Sequence, residues 1–140
     1  MNYLLDTCVL SEFVKKMPNP KVVQWINQQQ AEQLFVSQIS IAEIKKGLHK
    51  IKVQQPDRHH KLQQWLHSIE ATFFSRVLPM TEAILNDWSE ITAHAELQGK
   101  KLAVMDSLIA TTAYQHKLVL VTRNVEDFKM TPVQILNPFV

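Results

Sequence analysis

Four acids in this 140-residue chain, Asp6, Glu43, Asp106 and Asp127, have the types and spacing for shared chemistry. Asp6 ends the apolar run Tyr3-Leu4-Leu5, and Glu43 falls in the first turn after the run Leu34-Phe35-Val36. Asp106 sits in the first turn of a helix that precedes Leu118-Val119-Leu120-Val121, and Asp127 follows the loop after Val121. If those apolar runs are parallel strands, all four carboxylates gather in the crevice beyond the strands' carboxyl ends. Like charges so placed repel, and the site needs a compensating charge or raised pKa values. Hard divalent cations held through oxygen, magnesium or manganese, meet that need. Such ions lower the pKa of a coordinated water and stabilise the leaving oxygen of a phosphodiester. None of this chemistry requires histidine.

Each acid also has a purely structural explanation. Asp6 could cap the helix that follows it, and Glu43 could complete a capping box with Ser40. Asp106 could favour its helix N-terminus through the macrodipole, and Asp127 could be an ordinary loop residue. Asp106 has the sharper case, because Ala103, Leu108, Ile109 and Ala113 surround it with apolar neighbours.

The elements that must position these acids follow from periodicity. Thr7 is expected to cap a helix through Cys8, Val9, Leu10, Phe13 and Val14, and Pro20 to sit just before a second helix carrying Val22, Val23, Trp25 and Ile26. Ser40 is expected to open the next helix, with Ile41, Ile44, Leu48 and Ile51 at helical intervals. Pro56-Asp57 starts a longer one, Val77-Leu78 is a brief strand, and Thr81 caps a helix that ends before Gly99. A helix from about Val104 to His116 and a last strand around Val133 to Leu136 complete the pattern. Strands alternating with helices predict an α/β fold, a mainly parallel sheet covered on both faces.

The chain length fits one domain over residues 1–140. A 46% hydrophobic content allows a core without disulfide staples, and the lone Cys8 fits a reducing compartment. The first apolar run lacks a basic flank and is interrupted at Asp6, and no run approaches the ~20 apolar residues needed to span a bilayer. A cytoplasmic protein with no membrane partner is expected. The formal charge of +2 is compatible with nucleic acid but too mild to argue for it.

Four segments resemble PIN domains of the VapC/FitB-like toxin family. They are Tyr3 to Glu12, Ser37 to Gly47 with Glu43, Met105 to Ala113 with Asp106, and Val121 to Phe128. They occur in the family's order and span most of the chain. The resemblance implies a three-layer α/β/α fold and a magnesium- or manganese-dependent endoribonuclease that acts as the toxin of a type II toxin–antitoxin system. It further implies an RNA substrate, a homodimer, a VapB-type antitoxin as inhibitor and operator DNA met only through that antitoxin. Asp6, Glu43 and Asp106 carry over as metal ligands. At the fourth position many relatives have an acid where Asn124 stands, and others use the acid three residues on, here Asp127.

Thr7 and Thr122 could orient carboxylates or water, or simply cap. Lys46, three residues after Glu43, could meet a phosphate or pair with Glu43; Lys50 shares that helix face. The six histidines show no metal-site spacing, and His49, His59 and His60 are expected to face solvent. Rival readings are a phosphoaspartyl protein, dehalogenase-like or a receiver, a non-catalytic PIN-type binding module, and a metal-independent ribonuclease. The dehalogenase motif wants a second Asp where Cys8 stands. A receiver's paired acids are absent as well.

Overall fold

The computed structural model describes all 140 residues. Its element order is β1 (Tyr3–Leu5), α1 (Thr7–Glu12), α2 (Pro20–Asn27), β2 (Leu34–Ser37), α3 (Gln38–Ile51), α4 (Pro56–Thr72), β3 (Val77–Leu78), α5 (Glu82–Leu97), α6 (Val104–Gln115), β4 (Val119–Val121) and β5 (Ile135–Leu136). The five strands form one sheet in the order β3-β2-β1-β4-β5, every pair parallel. The register aligns Leu5 with Val36 on one side and with Val121 on the other. β1 and β4 therefore end level and β2 runs one residue further, so the residues just beyond their ends share one edge of the sheet.

Alternation along the strands builds a core on each face. Leu5, Val36 and Val121 join Val9, Val22, Leu48 and Leu66 on the side of α1 to α4. Leu4 and Leu120 turn the other way and pack with Ile109, Ala110 and Ala113 of α6 and with Phe128. Small residues on α6 let it lie close to the sheet, and its Thr111 and Thr112 hydroxyls donate to carbonyls one turn back instead of needing other partners. The result is the expected three-layer α/β/α arrangement.

Two helix starts differ from expectation. The first helix is capped by Asp6, whose Oδ1 accepts from the Thr7 N–H at 2.8 Å, so Thr7 is the first helical residue and its hydroxyl is released for other work. The third helix opens at Ser37, not Ser40: Ser37 is extended (φ −88, ψ 145) and its Oγ accepts from the Ile39 N–H. The chain enters the helix as soon as β2 ends, which places Ser40 inside it, fully buried. Hence Ser40 and Glu43 form no capping box. The last strand is also shorter than expected, Ile135–Leu136, because only these residues pair with β4.

Candidate metal centre

The strand order reverses at β1: the chain moves outward through β2 and β3, then crosses back to lay β4 on the other side of β1. Such a switch point opens a crevice beyond the strand ends. Asp6 and Thr122 are the residues that follow β1 and β4 there. Thr122 Oγ1 donates to Asp6 Oδ2 at 2.8 Å and accepts from the Asn124 N–H at 3.1 Å. The Cys8 thiol lies 3.8 Å from Oδ2 of Asp6. Asp6 is 3% exposed, and its carboxyl is pushed above the usual 3.8 by burial, against the opposing pull of its hydrogen bonds.

Glu43 reaches the same edge from α3. Thr7 Oγ1 lies 2.9 Å from Glu43 Oε1 and 3.0 Å from Ser40 Oγ. A hydroxyl has one proton to give, so Thr7 donates to the acceptor-only carboxylate and accepts from Ser40. This relay ties α1 to α3 and fixes one oxygen of Glu43. Asp106 stands in the first turn of α6. Its carboxyl is raised by burial first, then by the charges of Asp6, Glu43 and Asp127 in that order. The favourable helix N-terminus does not prevail over burial and three like charges. Asp127 comes from the 3-10 turn Glu126–Phe128, which is pinned by the buried Phe128 ring, and it lines one cavity with Asp106.

Asp106 thus lies within reach of the charges of the other three acids predicted from the sequence. The four do not form a ready-made three-ligand cage. The donor set of four carboxylates backed by Thr7 and Thr122 is all oxygen, and no basic side chain pairs with any of the four. Both features suit a hard divalent cation.

Other expectations divide. Asn124 contributes its backbone N–H to Thr122, whereas Asp127 brings the charge. Lys46 is exposed and forms no ion pair with Glu43. Lys50 instead lines a groove of about 460 Å³ between α1, α3 and α4, together with Glu43, Lys15 and Arg58. His49 and His60 are exposed as expected, but His59 is half-buried and lines a separate hollow with His49 and His67. Trp25 stacks edge-on against Tyr3, and Trp88 donates to the Ser107 hydroxyl at 2.8 Å, which docks α5 on the helix that carries Asp106.

Sequence reasoning passed over Glu12. It is buried at 3% exposure, accepts from the Asn19 N–H at 2.9 Å, and faces Lys15 Nζ at 2.8 Å and Arg123 Nη2 at 3.7 Å. Lys15 foremost holds its carboxyl below the usual 4.5. The Lys at i+3 was a visible signal for this pair; Arg123, 111 positions away, was not.

Residues 3–132 match the PIN domain family model. The toxin FitB of Neisseria gonorrhoeae is 34% identical over 138 residues, 97% of each chain. The VapC ribonuclease Y4jK of Sinorhizobium fredii is 31% identical over 97% of this chain and 96% of its own. The crystal structure of FitAcB from N. gonorrhoeae superposes with a TM-score of 0.90 at 33% identity, covering 98% of both chains. Fold, sequence and family model agree, and the chain belongs to the PIN-domain family.

Proposed function

We propose that this chain is a magnesium- or manganese-dependent endoribonuclease and the toxin of a toxin–antitoxin pair, acting on RNA in the cytoplasm. The observation that carries the reading is that Asp106 feels the charges of Asp6, Glu43 and Asp127 while no basic side chain pairs with any of the four, in a chain similar to a protein named VapC ribonuclease. When bound, the divalent ion supplies positive charge and an acidified water for hydrolysis of a phosphodiester. Asp6, Glu43 and Asp106 would hold it, and Asp127 would add a fourth negative charge. Thr122 and the Thr7 N–H donate to the two oxygens of Asp6, and the Thr7 hydroxyl donates to one oxygen of Glu43, so both carboxylates are held in fixed orientation by this chain's own donors. Asp6 is buried, Glu43 and Asp106 are half-buried and Asp127 is exposed, so the charge of Asp6 acts in the least hydrated setting of the four. End-group analysis tests the reaction: 5′-phosphate and 3′-hydroxyl products are expected, and cleavage that survives exhaustive chelation, with cyclic phosphate ends, overturns it.

The partner reading belongs to the same proposal. The groove between α1, α3 and α4 pairs an apolar wall of Ile44, Leu48 and Leu62 with Lys15, Lys50 and Arg58, and it opens onto Glu43. An amphipathic antitoxin segment fits such a groove and can send a basic side chain towards the acids. Helix α2 does not line it. A homodimer is proposed with it; sedimentation of the isolated chain as a monomer at micromolar concentration would remove that part.

A further inference from the structure

A second opening on the carboxylates shares no lining residue with that groove. It is a narrow cavity of about 150 Å³ walled by Asp106 and Asp127 together with Lys100, Lys101 and Leu102. The local backbone places these lysines firmly. Helix α5 ends with Gly99 in the left-handed region (φ 85), where its N–H donates to the Glu96 carbonyl at 2.9 Å and the Lys100 N–H donates to the Ala95 carbonyl at 2.9 Å. This double closure is a Schellman cap, which sets the direction of the chain leaving the helix. Leu102 is then buried and anchors the far side, so Lys100 and Lys101 form a tethered two-residue rim.

Neither lysine closes on the acids that share its cavity. The molecule's ion pairs are Lys15–Glu12, Lys45–Glu70, Arg123–Glu12 and Lys129–Glu126. If the pair served to neutralise Asp106 and Asp127, ammonium and carboxylate would meet; instead a gap separates them. A polyanionic strand brought to four carboxylates needs fixed positive charge beside them, and lysine binds phosphate as a point charge without demanding one geometry. We propose that Lys100 and Lys101 bind RNA backbone phosphates adjoining the scissile one, and so set which phosphate is presented to Asp106 and Asp127. This rests on the ribonuclease reading above and assigns the substrate path to a cavity that shares no residue with the antitoxin groove.

The test uses the full chain in an Asp6→Asn background, so that a mixed-sequence single-stranded RNA of about twenty nucleotides (a convenient probe length, long enough to cover several phosphate contacts) is bound without being cut. Removing both lysines (Lys100→Ala with Lys101→Ala) should raise Kd about tenfold or more and flatten the log Kd against log salt slope by about 0.7 per lysine. The arginine pair at the same positions should keep the slope. Lys117→Asn, at the opposite end of the sheet where the backbone is left-handed (φ 58), should change neither. In the wild-type background the lysine variant should bind manganese within twofold of normal. Unchanged Kd and slope in the lysine variant, while wild type still cleaves RNA, would overturn the assignment and spare the ribonuclease reading. A loss of manganese affinity in step with RNA affinity would also overturn it, since the lysines would then act on the carboxylates. Failure of wild type to bind or cleave any RNA would remove both.

Discussion

Glu12 and Asp6 are both 3% exposed, six residues apart on either end of α1, yet their surroundings treat charge in opposite ways. Glu12 lies between Lys15 and Arg123, the latter also stacked on the Phe139 ring with its carbon 4.1 Å from the centroid, and its carboxyl is held low. Asp6 has hydroxyl, thiol and amide donors but no cation, and its carboxyl is pushed up. Asp106 shares that condition and also feels three neighbouring acids. A buried acid that serves the fold alone comes with its counter-charge supplied by the chain. One whose counter-charge is absent from the chain is set up to take it from outside, at a cost in stability.

The largest expected effects come from removing charge on the unpaired side. Asp6→Asn and Asp106→Asn should each reduce RNA cleavage by more than the roughly 100-fold that loss of an outer-shell partner costs. Apo thermal stability should be unchanged or higher in both, because repulsion and burial of charge are relieved. A variant with near-normal turnover would take that residue off the ligand set. On the paired side, Glu12→Gln should leave metal binding intact and destabilise the fold by about 1–3 kcal/mol, measured by denaturant unfolding. A neutral result there would mean that Lys15 and Arg123, each half exposed, contribute little through their charge.

The two regions should also oppose one another in pH. Asp6 and Asp106 have folded pKa values above the unfolded value of 3.8, so the apo fold loses stability as pH rises from there through the raised values. Glu12 is lowered from 4.5, so its stabilisation is present above that pH and is lost as pH falls through the folded value. Apo stability should therefore increase on mild acidification from neutrality and fall again below about 4.5, as the Glu12 pair is lost. With saturating magnesium the first trend should reverse, because protons compete with the metal for the same carboxylates. Thermal melts across pH with and without metal check this; parallel curves would count against it.

Smaller effects probe the margins of the site. Asp127→Asn should shift half-activation to higher magnesium without erasing cleavage, and Asn124→Ala should leave metal affinity near normal. The reverse pattern would give the fourth position to Asn124. Gly47 sits mid-helix on the groove wall, where an added Cβ would meet nothing within 4 Å. Gly47→Ala should therefore stabilise the isolated chain by about 0.5–1 kcal/mol. The same methyl should weaken antitoxin binding; unaltered antitoxin affinity would mean that the partner does not enter there.

The layer architecture was legible because each strand is a short apolar run between helical periods, and the face of each strand residue follows from alternation. Asp6 was legible one position beyond its run and Asp106 in its helix's first turn, whereas Glu43, expected in the first turn after β2, lies in the second turn of α3 because that helix opens at Gln38. Less visible was which hydroxyl caps which helix. Ser37 and Ser40 both precede an apolar stripe, and only the point where β2 stops pairing decides between them. The same holds for Thr7, displaced from its cap by Asp6, whose Oδ1 takes the Thr7 N–H while its Oδ2 takes the Thr122 hydroxyl. Long-range pairs such as Glu12 with Arg123, and the cavity joining Lys100 to Asp127, depend on the crossover from β3 back to β4, a topological fact that no local pattern carries.

The central claim is that the unneutralised acids are a divalent-cation site, and metal titration of the apo protein followed by thermal melting tests it most directly. Manganese and magnesium should raise the wild-type Tm with the logarithmic concentration dependence of a ligand that binds only the native state. The rise should persist in Glu12→Gln, shrink in Asp127→Asn and vanish in Asp6→Asn. No metal-dependent rise in wild type, or an equal rise in wild type and Asp6→Asn, would contradict the account.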